Sequence, residues 1–236
     1  MFSNISPQPS LARRSFLSRL GAGMTVLGAT LAGGSGTLQA QSTGNGRWQP
    51  SRHPQDDWLD QVPGMHRFVF DTISPAGIGT ALLYANNFFL ASQSDYGLAN
   101  ADAAVVIVMR HNSTPFAFND AMWAKYGAPL TERGRFVDPR TKQTPTINVY
   151  NSAAQGGLLT NLGTTLDSLA KRGVQFAVCQ MATRRLAGMI AGTGGNAENV
   201  YKEIVANLVS NSHMVPAGIV AVNRAQERGY AFASVG

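Results

Sequence analysis

Cys179 is the one cysteine in 236 residues, and Thr183, Arg184 and Arg185 follow it closely. A lone thiol can form no internal disulfide, no CxxC redox pair and no cysteine-rich zinc site. It can act as a nucleophile or carry a sulfur atom if it is ionised and reachable. The spacing places it near the end of a strand, with Thr183 capping the next helix and both arginines in that helix's first turn. A helix N-terminus and adjacent guanidinium groups both favour the thiolate, which is the reactive species. The competing reading is a small buried hydrophobe, because free cysteine is among the most buried residue types.

A second group with chemical potential is Arg110-His111-Asn112, which ends the apolar run from Ala103. At a strand terminus these residues could bind an anionic sulfur species or supply a proton, and a structural hydrogen-bonding histidine is the alternative. His111 and Cys179 together could seed a transition-metal site, with His213 as a further candidate ligand, but no HExxH or second cysteine accompanies them, so no metal is expected. Gly77-Ile78-Gly79 has Leu82 where a dinucleotide fingerprint needs its third glycine, so close helix packing accounts better for those glycines. Gly192-Thr193-Gly194-Gly195-Asn196 lacks the Lys-Ser/Thr of a P-loop and reads as a connector. There is no GxSxG elbow and no recognisable glycosidase carboxylate pair, and no cofactor is expected.

The elements that must position these residues alternate along the chain. His66–Thr72 and Ala103–His111 read as strands, the second buried on both faces because it is a continuous β-branched run. A helix opens at Ser74-Pro75 and runs to about Gln93. Another starts at Thr114-Pro115 and stops at Gly127. The stretch from Pro129 to Gly157 reads mostly as loop, with Thr146–Tyr150 as a short strand. Further helices are expected over Leu158–Lys171, after Thr183, over Ala197–Asn211 and over Ala217–Arg228. Further strands are expected over Val174–Met181, at Met214-Val215 and over Tyr230–Val235. This is the pattern of one α/β domain, with a mostly parallel five-stranded sheet covered by helices on both faces in a flavodoxin-like three-layer arrangement. Ligands of such sheets sit at the carboxyl ends of the strands. That rule selects Asp71, Thr72, Arg110, His111, Asn112, Cys179, Gln180 and Met181.

Gly173–Gly188 (GVQFAVCQMATRRLAG) resembles the cysteine segment of the DsrE/DsrF-like family. Met214–Tyr230 (MVPAGIVAVNRAQERGY) resembles the same family's closing segment, and the two occur in the family's order. The resemblance implies a DsrE-like fold over residues 64–236. It also implies a sulfurtransferase-like relay in which a persulfide on Cys179 passes to another protein or a small thiol. In that reading Arg184, Arg185 and His111 assist Cys179, while Asp71, Arg110, Asn112 and Gln180 contact the ligand. A non-catalytic oligomeric binding protein, with a small ligand or metal in the strand-end pocket, is the alternative.

Residues 1–40 contain no acidic residue and read as an export signal. Arg13-Arg14-Ser15-Phe16-Leu17 resembles a twin-arginine motif and precedes a weakly apolar stretch interrupted by glycines. That stretch falls short of the ~20 apolar residues a membrane span needs, so a periplasmic protein with no stable span in its mature form is expected. Residues 41–63 read as an irregular N-terminal arm. The chain holds 19 Lys+Arg and 13 Asp+Glu. Removing residues 1–40 takes away Arg13, Arg14 and Arg19 and leaves 16 basic against 13 acidic residues, a charge of +3. No basic cluster with interleaved aromatics remains, and a nucleic-acid partner is not expected. Residues 72–94 carry no charge, and Leu82, Leu83, Tyr84, Phe88, Phe89 and Leu90 exceed what one sheet face covers. A subunit interface is therefore expected, and the family resemblance implies a trimer or hexamer.

Overall fold

The structure, a computed structural model, describes residues Gln49–Gly236. The twin-arginine segment and the start of the arm lie outside the described residues. Five strands, β1 (His66–Thr72), β2 (Ala103–Met109), β3 (Gln175–Cys179), β4 (Ser212–Val215) and β5 (Ala231–Val235), form one all-parallel sheet in the order β4-β3-β2-β1-β5. The helices are α1 (Trp58–Gln61), α2 (Pro75–Tyr96), α3 (Asp120–Gly134), α4 (Leu166–Ala170), α5 (Gln180–Ala191), α6 (Ala197–Val205) and α7 (Gly218–Gln226). The architecture is three-layered α/β, with helices on both faces of the sheet.

The layering follows from handedness. Each step from β1 to β2, β3 and β4 moves the same way across the sheet, so right-handed crossovers put α2 to α6 on one face. The return from β4 to β5 runs the other way and carries α7 across the opposite face. All seven residues of β2 are buried. Ala103, Val105, Ile107 and Met109 face the core under α2 to α6, and Ala104, Val106 and Val108 face the core under α7. A strand enclosed on both sides has no polar face, which is why it reads as an uninterrupted apolar run.

One return helix cannot cover a five-stranded face, and the arm supplies the remainder. Leu59 and Val62 are buried against α7 and the sheet, and Trp58 stacks on His213 with ring centroids 4.0 Å apart. Arg67 Nη1 and Tyr230 Oη both donate to the Leu59 carbonyl, at 3.1 and 2.8 Å. The segment expected to be irregular thus contains α1, a single turn that its own composition does not announce.

Other departures have local causes. The helix expected to stop at Gly127 kinks at Tyr126, three residues before Pro129, and continues to Gly134. Residues 111–117 form 3-10 turns rather than α-helix, and α3 starts afresh at Asn119, whose side chain accepts from the Met122 N–H at 3.2 Å. The expected strand at Thr146–Tyr150 is replaced by a 3-10 turn, Val149–Asn151. Asn148 pins this loop by donating from Nδ2 to the Phe116 and Phe118 carbonyls, each at 2.8 Å. Left-handed backbone at Leu162 and Gly163 confines the next helix to Leu166–Ala170. Helix α6 ends at Val205 because the following residues bond back to 117–119, with the Val209 N–H donating to the Ala117 carbonyl at 2.8 Å.

The stripe Phe116, Phe118, Met122 and Trp123 lies in the core as expected. So does the packing account of the two early glycines. A Cβ at Gly77 would strike the Val235 carbonyl, and one at Gly79 would strike Thr160 Oγ1 and stand 3.0 Å from the Tyr150 ring. Among the described residues no helix is long and apolar enough to cross a membrane.

Candidate functional site

Four neighbouring strands deliver side chains to one end of the sheet. β1 ends in Asp71 and Thr72, β2 leads into Arg110, β3 ends at Cys179, and β4 leads through Pro216 to the first turn of α7. The strand ends are tied together. Thr72 Oγ1 donates to the Val108 carbonyl at 2.7 Å, and the Arg110 N–H donates to Ser113 Oγ at 2.9 Å. The backbone turns sharply after Arg110, and His111 adopts a left-handed conformation with φ of 59°.

Asp71 is 2% exposed, and its two carboxylate oxygens accept from Arg110 Nε and Nη2, both at 2.7 Å. A planar guanidinium meeting a carboxylate with two parallel bonds fixes both groups in orientation. Arg110 is thereby held in the wall of a pocket of about 290 Å³, whose lining includes Arg110, His111, Arg133, Cys179, Arg185 and Gly218. A Cβ at Gly218 would come within 2.6 Å of Arg110 Cβ, so only glycine lets helix α7 begin this close to the arginine stem.

Cys179 lines the same pocket while being 7% exposed. Helix α5 begins four residues earlier than its sequence implies. Thr183 is not the cap; its hydroxyl donates back to the Cys179 carbonyl at 2.9 Å, and Cys179 itself is the N-cap residue. The cap of α7, Ala217, also lines the pocket. Neither helix has a side-chain capping bond or an acidic residue in its first turn, so both positive helix ends lie at this pocket without a side-chain partner.

The electrostatics are one-sided. Arg110 is raised above its ordinary pKa, chiefly by its hydrogen bond to Asp71, against the opposing cost of burial and with further help from the charges of Asp71 and Cys179. Arg133 is lowered, first by desolvation and then by repulsion from Arg185. Its Nε is buried without a hydrogen-bond partner. Among the described residues neither Arg133 nor Arg185 forms a salt bridge. The arrangement presents a thiol to a cationic, partly enclosed space that favours anions.

Of the residues expected to act, Cys179, Arg110, His111 and Arg185 line the pocket, with Asp71 behind Arg110. Arg184 turns away: its Nη1 pairs with Glu198 at 2.9 Å, and its guanidinium lies 4.0 Å over the Tyr201 ring. Asn112 and Gln180 do not line it. Asn112 donates its backbone N–H to the Ile73 carbonyl at 3.1 Å, and its Oδ1 is buried without a partner. His213 lies farther back on β4 and shares a 2.8 Å hydrogen bond with Gln175 Oε1. Among the described residues no three metal-ligating side chains cluster. Sequence reasoning missed Arg133, Ala217 and Gly218. The strand-end rule applied to β4 would have found the last two, whereas Arg133 arrives from the last turn of α3.

No family model matches the chain, and no curated protein matches it. A solved structure titled as that of a protein of unknown function, MTH1491, from Methanobacterium thermoautotrophicum is similar over 72% of this chain and 98% of that chain. Its identity is 14% and its TM-score 0.36.

Proposed function

We propose that this is a DsrE-like sulfur carrier of the periplasm, exported by the twin-arginine pathway, in which Cys179 accepts sulfane sulfur as a persulfide and passes it on. One observation carries the reading: the chain's single thiol is the N-cap of α5 and lines an open pocket together with three guanidinium groups. The pocket gives a small donor access to the sulfur, and the guanidinium groups and helix terminus suit an anionic nucleophile and an anionic persulfide product. With no second cysteine, the persulfide cannot resolve into an internal disulfide. It must leave to another protein or a small thiol, which makes the protein a relay rather than a self-contained oxidoreductase.

The test is intact-mass measurement after incubation with polysulfide. The expected result is a gain of one sulfur mass that reducing agent removes and Cys179→Ser abolishes. No gain in the native protein would reject the carrier.

The low exposure of Cys179 favours a second reading, in which the cysteine is packing and the pocket only binds a ligand. If native Cys179 resists alkylation at neutral pH while the unfolded chain reacts, this reading replaces the first.

We also propose self-association through α2. Leu82 and Phe89 are buried within the subunit, but Tyr84 and Leu90 remain 48% and 51% exposed on a helix without charge before Asp95. Light scattering at micromolar concentration should give a trimeric or hexameric mass. A monomer rejects the interface.

A further inference from the structure

We infer that the sulfane donor read by this pocket is thiosulfate, with its sulfonate end held by Arg133 and Arg185 and its outer sulfur facing Cys179. The inference rests on the carrier reading and names its substrate. The lining contains no carboxylate, amide or hydroxyl side chain. Its polar groups are three guanidiniums, an imidazole and the thiol, and the rest is Met181, Ala182, Ala217, Gly218 and Ile219. Such a wall is rich in donors for an oxyanion and holds no carboxylate for an amine or a hard cation.

The charge balance adds a number. Asp71 neutralises Arg110, so Arg133 and Arg185 leave two uncompensated positive charges facing one pocket. Two like charges that repel each other, one with a buried unpartnered Nε, are stabilised together by a dianion between them. The uncapped N-termini of α5 and α7 add N–H donors suited to tetrahedral oxyanions. Polysulfide has no oxygen to accept these bonds, whereas thiosulfate combines three such oxygens, two negative charges and a transferable sulfur.

The transfer balances without any added oxidant. The Cys179 thiolate attacks the outer sulfur, a bond forms between Sγ and that sulfur, and the sulfur–sulfur bond of thiosulfate breaks. Sulfite leaves with the electron pair and both of its charges, and Cys179 keeps the persulfide anion. The cations that held the sulfonate in the substrate hold the departing sulfite.

Binding and transfer are measured separately on the full chain. In Cys179→Ser, calorimetry should show thiosulfate and sulfite binding, and adding Arg133→Gln or Arg185→Gln should weaken both by about tenfold. Arg185 is solvent-exposed, so its variant tests the pocket even if Arg133→Gln folds poorly. In the native protein, thiosulfate should add one sulfur to Cys179 and release an equal amount of sulfite. Absence of binding, or binding insensitive to both arginine changes, overturns the inference. Loading from polysulfide but not from thiosulfate also overturns it and leaves the carrier standing. Thiosulfate that binds while no donor of any kind loads the cysteine overturns the inference and the carrier together.

Discussion

Replacing Arg110 with methionine is expected to lower the unfolding free energy by about 3–5 kcal/mol, the cost of stranding a buried charge. Asp71 is the partner left behind. Its side chain is 3% exposed, and the hydrogen bonds it accepts among the described residues come from Arg110 Nε and Nη2. Methionine fills much of the arginine's volume but donates nothing, and a carboxylate enclosed by the strand ends is poorly hydrated. The reciprocal change, Asp71→Asn, should cost far less, about 1 kcal/mol, because the Arg110 side chain is 28% exposed and can turn into the open pocket. Urea denaturation of both single variants measures the asymmetry. Equal losses would mean that burial does not set the cost. The double variant Asp71→Leu with Arg110→Met should recover part of the loss, since a matched apolar pair leaves no orphan charge.

Arg185→Glu should lower the reactivity of Cys179 toward iodoacetate, relative to iodoacetamide, by on the order of tenfold at low ionic strength. Both reagents attack through the same thiolate, so their ratio cancels any change in ionisation and reports only the field met by an approaching anion. Arg185 lines the pocket beside Cys179 and forms no salt bridge among the described residues. Reversing its sign therefore changes the local field by two charges with no partner to compensate. Added salt should shrink the effect, because the side chain is solvent-exposed. The matched change Arg184→Glu should move the ratio much less, since that guanidinium is engaged with Glu198 and Tyr201. A similar effect from both substitutions would show that the pocket does not distinguish them.

The contrast between these neighbours marks how far the sequence could be read. Strand β1 was legible to its ends, and β2 lacked only its last two expected residues, because apolar alternation and full burial leave direct traces in residue type. The parallel topology followed from the alternation of strands and helices, and the strand-end rule led to Cys179 and Arg110. What remained hidden was set by contacts between distant segments. One residue along a helix is a rotation of about 100°, which sends Arg184 toward α6 and Arg185 toward the pocket. Choosing between them requires knowing where Glu198 lies. Thr183 looked like a helix cap because threonine is common there, yet its hydroxyl bonds backward inside the first turn of α5. Arg133 was invisible because Gly127 seemed to end its helix, and only the kink at Tyr126 carries the chain on to the site. The arm was misjudged for a related reason: α1 is a single turn held by Arg67 and Tyr230, not by any periodicity of its own.

The close approach of Gly218 to the stem of Arg110 constrains how this protein can diverge. A side chain at 218 has no space while an arginine occupies 110, and shortening 110 alone abandons the carboxylate at 71. Position 110 is therefore constrained from two sides, by the glycine at 218 and by the carboxylate at 71, and replacing Arg110 calls for a matching change at 71. Descendants that kept the fold but lost this trio would have to rebuild the wall of the pocket, and their cysteine would face a different set of reagents.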